Sequence, residues 1–492
     1  MKSAIVIGAG IGGIATSARL ARVGYKVTLL EKNSKSGGRF SILEKEGFRF
    51  DTGPTLFLMP EIFDETYKAL GENMENHLDL IRLDPTYRVH LHDNTILDLT
   101  ADLNDMRIQL DSLESGSFES YLKFVAEGYR HYNLSLKKFV GRNFISPFEF
   151  FSPMNLPLLF SLKALVKHYK NVSKYFSDPR LRASFTFQNM YLGLSPYEAP
   201  ATYSLLQYTE LAEGVWFPKG GMYKAIESLT SIAKNLGVEI LYNSAVAKID
   251  SDGSKVSGVT LENGEKIKAD LIVANADLPY VYSDLLPENG KSDLSKKKYT
   301  SSAIMFYWGV DGERSPELLH HNVFLADHKY KQSFEQIFDK LTMPDEPSFY
   351  VCAPTRTDPS LAPSGKDSLL VLVPVGHIND REPQNWDQLT QKARSFVLNR
   401  LNDIGLIDLN KRIIFEEKID PNYYHDGLNL AKGAAFGLSH NFMQVGYLRP
   451  HNRHRHYKNL YFVGASTHPG TGVPIVLISA RLVTERIIKE QN

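Results

Sequence analysis

The chain of 492 residues carries 56 Lys and Arg against 56 Asp and Glu, so it is formally neutral and offers no basic footprint for a nucleic acid. Hydrophobic residues at 43% and charged residues at 23% exclude a disordered, collagen-like or coiled-coil chain. Cys352 is the one cysteine, which excludes an internal disulfide and a Cys-based zinc site and fits a reducing compartment. The N-terminus has no basic region followed by an apolar stretch and cleavage site, and no apolar run reaches about 18 residues. Neither a signal peptide nor a spanning helix is therefore expected.

Ser3 to Ile7 is a short, largely apolar run of the kind found in a buried parallel strand. Gly8, Gly10 and Gly13 follow at the G-x-G-x-x-G spacing. Ala15 to Val23 predicts a helix and Tyr25 to Leu30 a second strand, closed by Glu31. This is a complete β-α-β dinucleotide fingerprint. Gly8 permits the tight turn, Gly10 leaves room for a pyrophosphate, and Gly13 lets helix and strand pack closely. The helix N-terminus offers free N–H groups and a positive dipole to phosphates. Glu31 is placed to accept hydrogen bonds from both adenosine ribose hydroxyls and to repel a 2′-phosphate. The chain offers one such fingerprint, so no separate nicotinamide site is expected.

After Lys32 an NAD half-domain would run into another βαβ unit. Here the chain gives Ser36-Gly37-Gly38-Arg39, a hairpin pattern, and Phe50-Asp51-Thr52-Gly53-Pro54. Gly38 brings a second bare stretch of backbone near the phosphates, and Arg39 has the planar fork that holds one. This arrangement resembles the amine-oxidase-like flavoproteins. The resemblance implies an α/β fold: a Rossmann-like FAD-binding domain of the GR2 type, with an inserted mixed-sheet substrate domain and a helical region. It implies FAD as cofactor, held among Gly8, Gly10, Gly13, Glu31, Lys32, Gly38, Arg39, Gly53 and Pro54.

Residues 121–182 hold eleven Lys and Arg against three acids, a net +8 in a neutral chain. An apolar run, Phe148 to Phe160, is interrupted by Pro153 and Pro157, so it is not one long helix. From Leu158 the pattern turns helical. Leu158, Leu162, Leu165, Tyr169, Val172 and Phe176 recur at spacings of three and four, with Lys163, Lys167, Lys170 and Lys174 on the opposite side. Such a helix lies at a membrane interface or packs as an ordinary surface helix.

Val238 to Asp250 gives two apolar pieces around Asn243, and Leu271 to Asn275 another buried strand. In flavoproteins of the type named above, a strand like the first supplies backbone contacts to adenine, here at Val246. Residues 85–110 and 300–440 alternate strand-like and helical pieces, including Ser302 to Gly309 and Ser368 to Val375, and predict a mixed sheet under the substrate. Asn459 to Val463 predicts the last strand. Gly464, Gly470 and Gly472 lead into Val473 and Pro474, at the start of a helix over Ile475 to Glu490. With the ring of FAD there, that helix N-terminus would stabilise the negative charge of the reduced cofactor.

Read together, GAGIGG at 8–13, SGGRF at 36–40, FDTGPT at 50–55, PATYSLLQYTELAEGVWFPKGGM at 200–222, LRPHN at 448–452 and FVGASTHPGTGVP at 462–474 resemble the carotenoid desaturases of the bacterial and fungal phytoene desaturase type. The similarity runs through essentially the whole chain. It implies FAD-dependent dehydrogenation of a lipophilic C40 polyene, phytoene, to conjugated carotenes such as lycopene, at a membrane surface. Oxygen or a quinone would be the electron acceptor, and no nucleic acid takes part. Fungal relatives carry a C-terminal hydrophobic extension that is not found after Asn492, so membrane contact is expected in the 121–182 region. The expected location is peripheral, on the cytoplasmic face of a membrane, and not secreted. Glu210 and Glu213, just before Gly214 and Trp216, are the candidate proton acceptors or cation-stabilising charges. They also read as ordinary helix-end acids.

The expected organisation is FAD-binding segments at 1–84, 214–285 and 441–492, substrate-domain pieces at 85–110 and 286–440, and a helical region at 111–213. Two other readings use the same architecture: a FAD oxidase or isomerase acting on an amine, a porphyrin or a retinoid, and a non-catalytic prenyl-binding module of the Rab GDP-dissociation-inhibitor kind. His320-His321 and the group His451, His454 and His456 are read as surface or interface histidines, and no metal is expected.

Overall fold

The computed structural model describes residues 1–491. Strand β1 (Ser3–Ile7) is buried from Ala4 onward on both faces. A strand of that kind belongs inside a parallel sheet covered by further layers. It pairs in parallel with β2 (Lys26–Leu30) on one side and Leu271–Ala274 on the other. Leu460–Phe462 and Glu239–Leu241 complete the five-stranded sheet at its two edges. Helix α1 (Ile11–Arg22) crosses from β1 to β2. It shares one face of the sheet with the helix Lys224–Asn235 and the C-terminal helix Val473–Gln491. The opposite face, with Ile5, Ile7, Leu30 and Ile272, packs on a three-stranded antiparallel sheet, Val246–Asp252, Lys255–Leu261 and Lys266–Lys268.

Helix α1 begins at Ile11, ahead of the predicted Ala15, because Gly12 and Gly13 are already part of it. A Cβ on Gly13 would fall 2.0 Å from the Gly8 carbonyl oxygen. The C-terminal helix likewise begins at Val473, ahead of Ile475.

A seven-stranded sheet forms the second layer system, ordered Ile413–Ile419, Ser302–Asp311, Lys366–Val375, Phe349–Cys352, His321–Phe324, Tyr87–His90 and Ile96–Leu99. Its one parallel pair joins His321–Phe324 to Tyr87–His90, so the sheet is mixed. Ser302–Asp311 and Lys366–Val375 pair over ten residues. Ile304, Phe306, Trp308 and Val310 pack on the helix Trp386–Asp403. Ala303, Met305 and Tyr307 face the other way, toward Phe48, Phe50 and Tyr424. Burial on both faces explains why this strand reads as one continuous apolar run.

The predicted amphipathic helix from Leu158 to Phe176 does not form as one element. A helix at Leu156–Ser161 ends before Lys163, which has φ +51°, and a second begins at His168 and ends at Val172. Backbone pairing with a neighbouring segment takes the place of the helical ladder: His168 N–H donates to Ala199 O, Tyr169 N–H to Pro196 O, and Ala201 N–H to Val166 O. Lys163 is drawn inward to Glu127 and Asn171, whereas Lys167, Lys170 and Lys174 stay exposed. The tip just before them is unusually bare. Phe148 is 84% exposed, Met154 82% and Phe160 74%, and Ile145, Phe151, Leu156 and Leu165 are exposed as well. Among the described residues no helix is long and apolar enough to cross a membrane.

Candidate cofactor and substrate site

Gly8, with φ +95°, turns the chain at the end of β1, and its N–H donates to Leu30 O across the sheet. Gly10 caps α1 without a side-chain hydrogen bond, and no acid occupies the first turn. Those first N–H groups are therefore open to an anion. A second glycine turn lies against the first: Gly37 N–H donates to Ala9 O, and a Cβ on Gly38 would sit 3.7 Å from Gly10 Cα. Two bare stretches of backbone thus face each other, as a pyrophosphate requires. Asn275 closes the cradle, donating to Gly8 O from Nδ2 at 3.2 Å. A Cβ on Gly12 would meet Asn275, Val476 and Val463 together, so the N-terminal turn, the middle strand and the C-terminal helix converge at this point.

Glu31 is 4% exposed and is oriented by protein N–H groups. Ala9 N–H donates to its Oε2 at 2.7 Å, and Asn33 donates to its Oε1 from the backbone and from Nδ2. Ser244 N–H donates to Glu31 O, which brings the start of the Val246–Asp252 strand beside it. Glu31 and Val246 therefore share one end of the cradle. Lys32 donates to Asn429 Oδ1 at 2.9 Å, and burial lowers its pKa. Gly53 packs on the Arg39 backbone, since a Cβ there would fall 1.9 Å from Arg39 O, and Pro54 follows half-buried.

Arg39 is not a solvated loop residue. Its Nη1 donates to Ala435 O at 2.9 Å, and burial lowers its pKa while the nearby Asp277 opposes that shift. With Asp277, Ala465, Ser466 and Thr467 it lines a narrow crevice that also touches Asn275. Asp277 accepts from Ser466 Oγ at 2.7 Å, and its pKa is raised by burial. Gly464 and Gly472, both at positive φ, carry the chain past this crevice into Val473 and Pro474 at the head of the C-terminal helix. Asn275 and Asp277 line this end of the site and were not expected there from the sequence, whereas Arg449, in the LRPHN stretch read as a loop beside the cofactor, holds the backbone of Ala465 and Thr467 on the same crevice. For Asn275 and Asp277 the signal is positional, two polar residues just past a buried strand.

Glu210 and Glu213 are separated by the structure. Both lie in a short π-helical turn, Thr209–Glu213, which ends at Gly214 with φ +96°. Glu210 is fully buried between the helical region and the seven-stranded sheet, where Tyr87 donates to its Oε1 at 3.1 Å. Burial raises its pKa to about 8. Tyr191 lies close by with its own pKa pushed well up, by burial first and by Glu210 second. Glu213 is half-buried in a different group, with Glu61, Tyr132 and Tyr208. Burial, then Glu61, raises its pKa to about 7.

His320, His321 and His454 are buried, not surface residues, whereas His456 is exposed. His321 Nδ1 lies 2.6 Å from Tyr350 Oη, and His320 Nδ1 lies 2.6 Å from Thr357 Oγ1. Burial pushes the His320 pKa down to about 3. Cys352 pairs with His321 across the sheet, and the ligand-type atoms of these two histidines and Cys352 lie within 4.8 Å of one another. This buried polar group lies on the sheet near Tyr87, whose ring centre is 5.6 Å from that of His321.

The model for the family described as flavin containing amine oxidoreductase matches residues 11–488. A zeta-carotene-forming phytoene desaturase of Myxococcus xanthus is 47% identical over 98% of this chain and 93% of its own length. A 4,4'-diapophytoene desaturase (4,4'-diaponeurosporene-forming) of Staphylococcus aureus is 34% identical over 99% of this chain and 98% of its own length. Among solved structures, an oxidoreductase from Methanosarcina mazei superposes with a TM-score of 0.67 over 98% of this chain and 100% of its own. At 18% identity that likeness speaks to the fold alone.

Proposed function

The chain belongs to the flavin containing amine oxidoreductase family, and from that premise we propose that it is an FAD-dependent desaturase of phytoene in carotenoid biosynthesis. The observation that carries this reading is high identity to a phytoene desaturase over nearly the full length of both chains, together with the double-glycine cradle. The higher identity to the phytoene enzyme than to the diapophytoene enzyme favours the longer polyene.

The cradle fits FAD. Gly8, Gly10, Gly13 and Gly38 leave backbone bare for the pyrophosphate, Glu31 faces the adenosine end with Val246, and Arg39 with Gly464, Gly472, Val473 and Pro474 lies at the other. When bound, FAD supplies the two-electron acceptor that a CH–CH dehydrogenation needs. The protein's own residues orient the polyene and exclude water. The sheet face carrying Ala303, Met305 and Tyr307, packed on Phe48, Phe50 and Tyr424, is the apolar floor beneath such a chain. Glu210 is the proton acceptor: a carboxyl with a pKa near neutrality takes a proton from the substrate and returns it to solvent within a cycle. Glu213, in its separate tyrosine-lined group, does not share that role. The electrons leave to oxygen or a quinone.

The substrate is dissolved in a bilayer, and the bare tip around Phe148, Met154 and Phe160 suits shallow insertion on the cytoplasmic face, with Arg142, Lys167, Lys170 and Lys174 near anionic headgroups. The functional reading is tested by expression in a phytoene-accumulating host. Coloured carotenes in the extract are expected. Phytoene left unchanged beside a flavin-loaded protein would overturn it.

A further inference from the structure

The crevice at the C-terminal glycine loop has Arg39 and Asp277 on its walls, and a second guanidinium, Arg449, lies behind the Ala465–Thr467 backbone that lines it. Arg449 is 1% exposed, and every N–H of its guanidinium is held by a neutral backbone carbonyl. Nε donates to Thr467 O, Nη1 to Ser439 O and Gln444 O, and Nη2 to Leu438 O and Ala465 O. These acceptors come from two separate stretches of chain, so the cation cannot turn away. The carboxylate that faces it at longer range is Asp277, and Arg39 faces the same Asp277. A buried guanidinium and a half-buried one therefore share one carboxylate. The other titratable groups beside Arg449 add no negative charge. Burial keeps His440 and His468 neutral, with the Arg449 charge adding to it, and burial keeps the Tyr203 phenol protonated.

An unpaired buried cation is costly, and a fold retains one most readily where an anion comes to lie against it. The place is defined. Ala465 and Thr467, which hold the guanidinium, line the crevice with Arg39 and Asp277. A Cβ on Gly470 would strike the neutral His440 ring at 2.6 Å and lie 3.8 Å from Arg449 Nε, so this loop passes close to the cation with only a neutral imidazole beside it. The oxidised flavin ring is neutral, and its two-electron-reduced form is an anion after proton loss.

We propose that Arg449 is a cofactor-tuning residue whose fixed, uncompensated charge favours the reduced, anionic flavin over the oxidised ring. This rests on the FAD reading above. The charge makes the cofactor a stronger acceptor for electrons from an unactivated hydrocarbon, while the carbonyl clamp keeps the cation at one position.

Sulfite reports the same property without substrate. Its electron pair forms a bond to N5 of oxidised flavin, and the charge moves onto the pyrimidine ring. FAD-loaded protein is titrated with sulfite, following loss of the flavin band, and its midpoint potential is measured in parallel. Arg449→Gln is expected to weaken sulfite binding at least tenfold and to cut the preference for reduced over oxidised flavin tenfold, which is about 30 mV for a two-electron couple. Arg449→Lys keeps the charge but not the five-fold clamp. It should lose thermal stability while holding sulfite affinity within about threefold of the parent. Asp277→Asn removes the opposing charge and should tighten sulfite binding. Equal loss in the Gln and Lys variants, or no change in Asp277→Asn, would make Arg449 a structural clamp and overturn the proposal. A parent protein that takes up no FAD would overturn the cofactor reading as well.

Discussion

At the scale of single residues, Glu210 sets function against stability. Its pKa is raised by burial from 4.5 to about 8. The native state thus holds a proton that the unfolded state has released between those two values, and stability falls as pH rises through that window. At pH 7 the cost is roughly 3 kcal/mol, at about 1.4 kcal/mol per pKa unit. Glu210→Gln keeps an acceptor for Tyr87 and has nothing to ionise. Its Tm at pH 7 should rise, and the share of the fall in stability between pH 4.5 and 8 that Glu210 contributes should disappear, leaving that of groups such as Glu213. Turnover should fall on the order of a hundredfold, and the rise in rate with pH toward 8 in the parent should vanish. A variant that is more stable and equally active would remove Glu210 from the chemistry. Gly10 gives the complementary test. A side chain there would meet only the tip of Asn275, whereas one at Gly13 would strike the Gly8 backbone. Gly10→Val should therefore fold and yet bind no FAD, and stoichiometric flavin in that variant would refute the cradle. Arg39→Ala should weaken FAD roughly tenfold or more, the scale of a charge-assisted hydrogen bond of about 1.5–3 kcal/mol.

At the scale of elements, the parallel strands and both glycine turns were legible because each rests on local patterning: continuous apolar runs for buried strands, and glycines at fixed spacing for backbone approach. The strands expected at Ser3 to Ile7, Tyr25 to Leu30, Leu271 to Asn275 and Asn459 to Val463 all lie in the five-stranded sheet. The 158–176 segment was not legible, because its 3.6-residue period is real but loses to backbone hydrogen bonds from residues 196–201. Asp277 was hidden, and although LRPHN placed Arg449 in a loop beside the cofactor, its burial was not legible, since nothing local distinguishes a buried arginine from a solvated one. The tip retains its own consequence. Replacing Phe148, Met154 and Phe160 together with Ser should lower co-sedimentation with anionic liposomes, as should Lys167, Lys170 and Lys174 changed to Gln. Both sets are solvent-exposed, so flavin content should stay at the parent value. Lys163 is left in place because it is committed to Glu127. Liposome binding unchanged in both variants would place membrane contact elsewhere.

At the scale of the whole molecule, three distant stretches of chain meet at one glycine-lined cradle, and the seven-stranded sheet is built from the segments between them. Glu210 lies where the helical region meets that sheet, and the exposed tip belongs to the same helical region. The layout sets an exposed apolar tip, a buried mixed sheet and a glycine-lined crevice in one chain. It predicts that electrons move from polyene to bound flavin inside the protein. The direct measurement is anaerobic mixing of FAD-loaded protein with phytoene held in liposomes, following the flavin band and the polyene bands together. The account predicts bleaching of the flavin in step with the appearance of longer conjugation, and return of the flavin band on admitting oxygen or a quinone. Flavin that stays oxidised while phytoene is unchanged, or product that forms without flavin reduction, would contradict it.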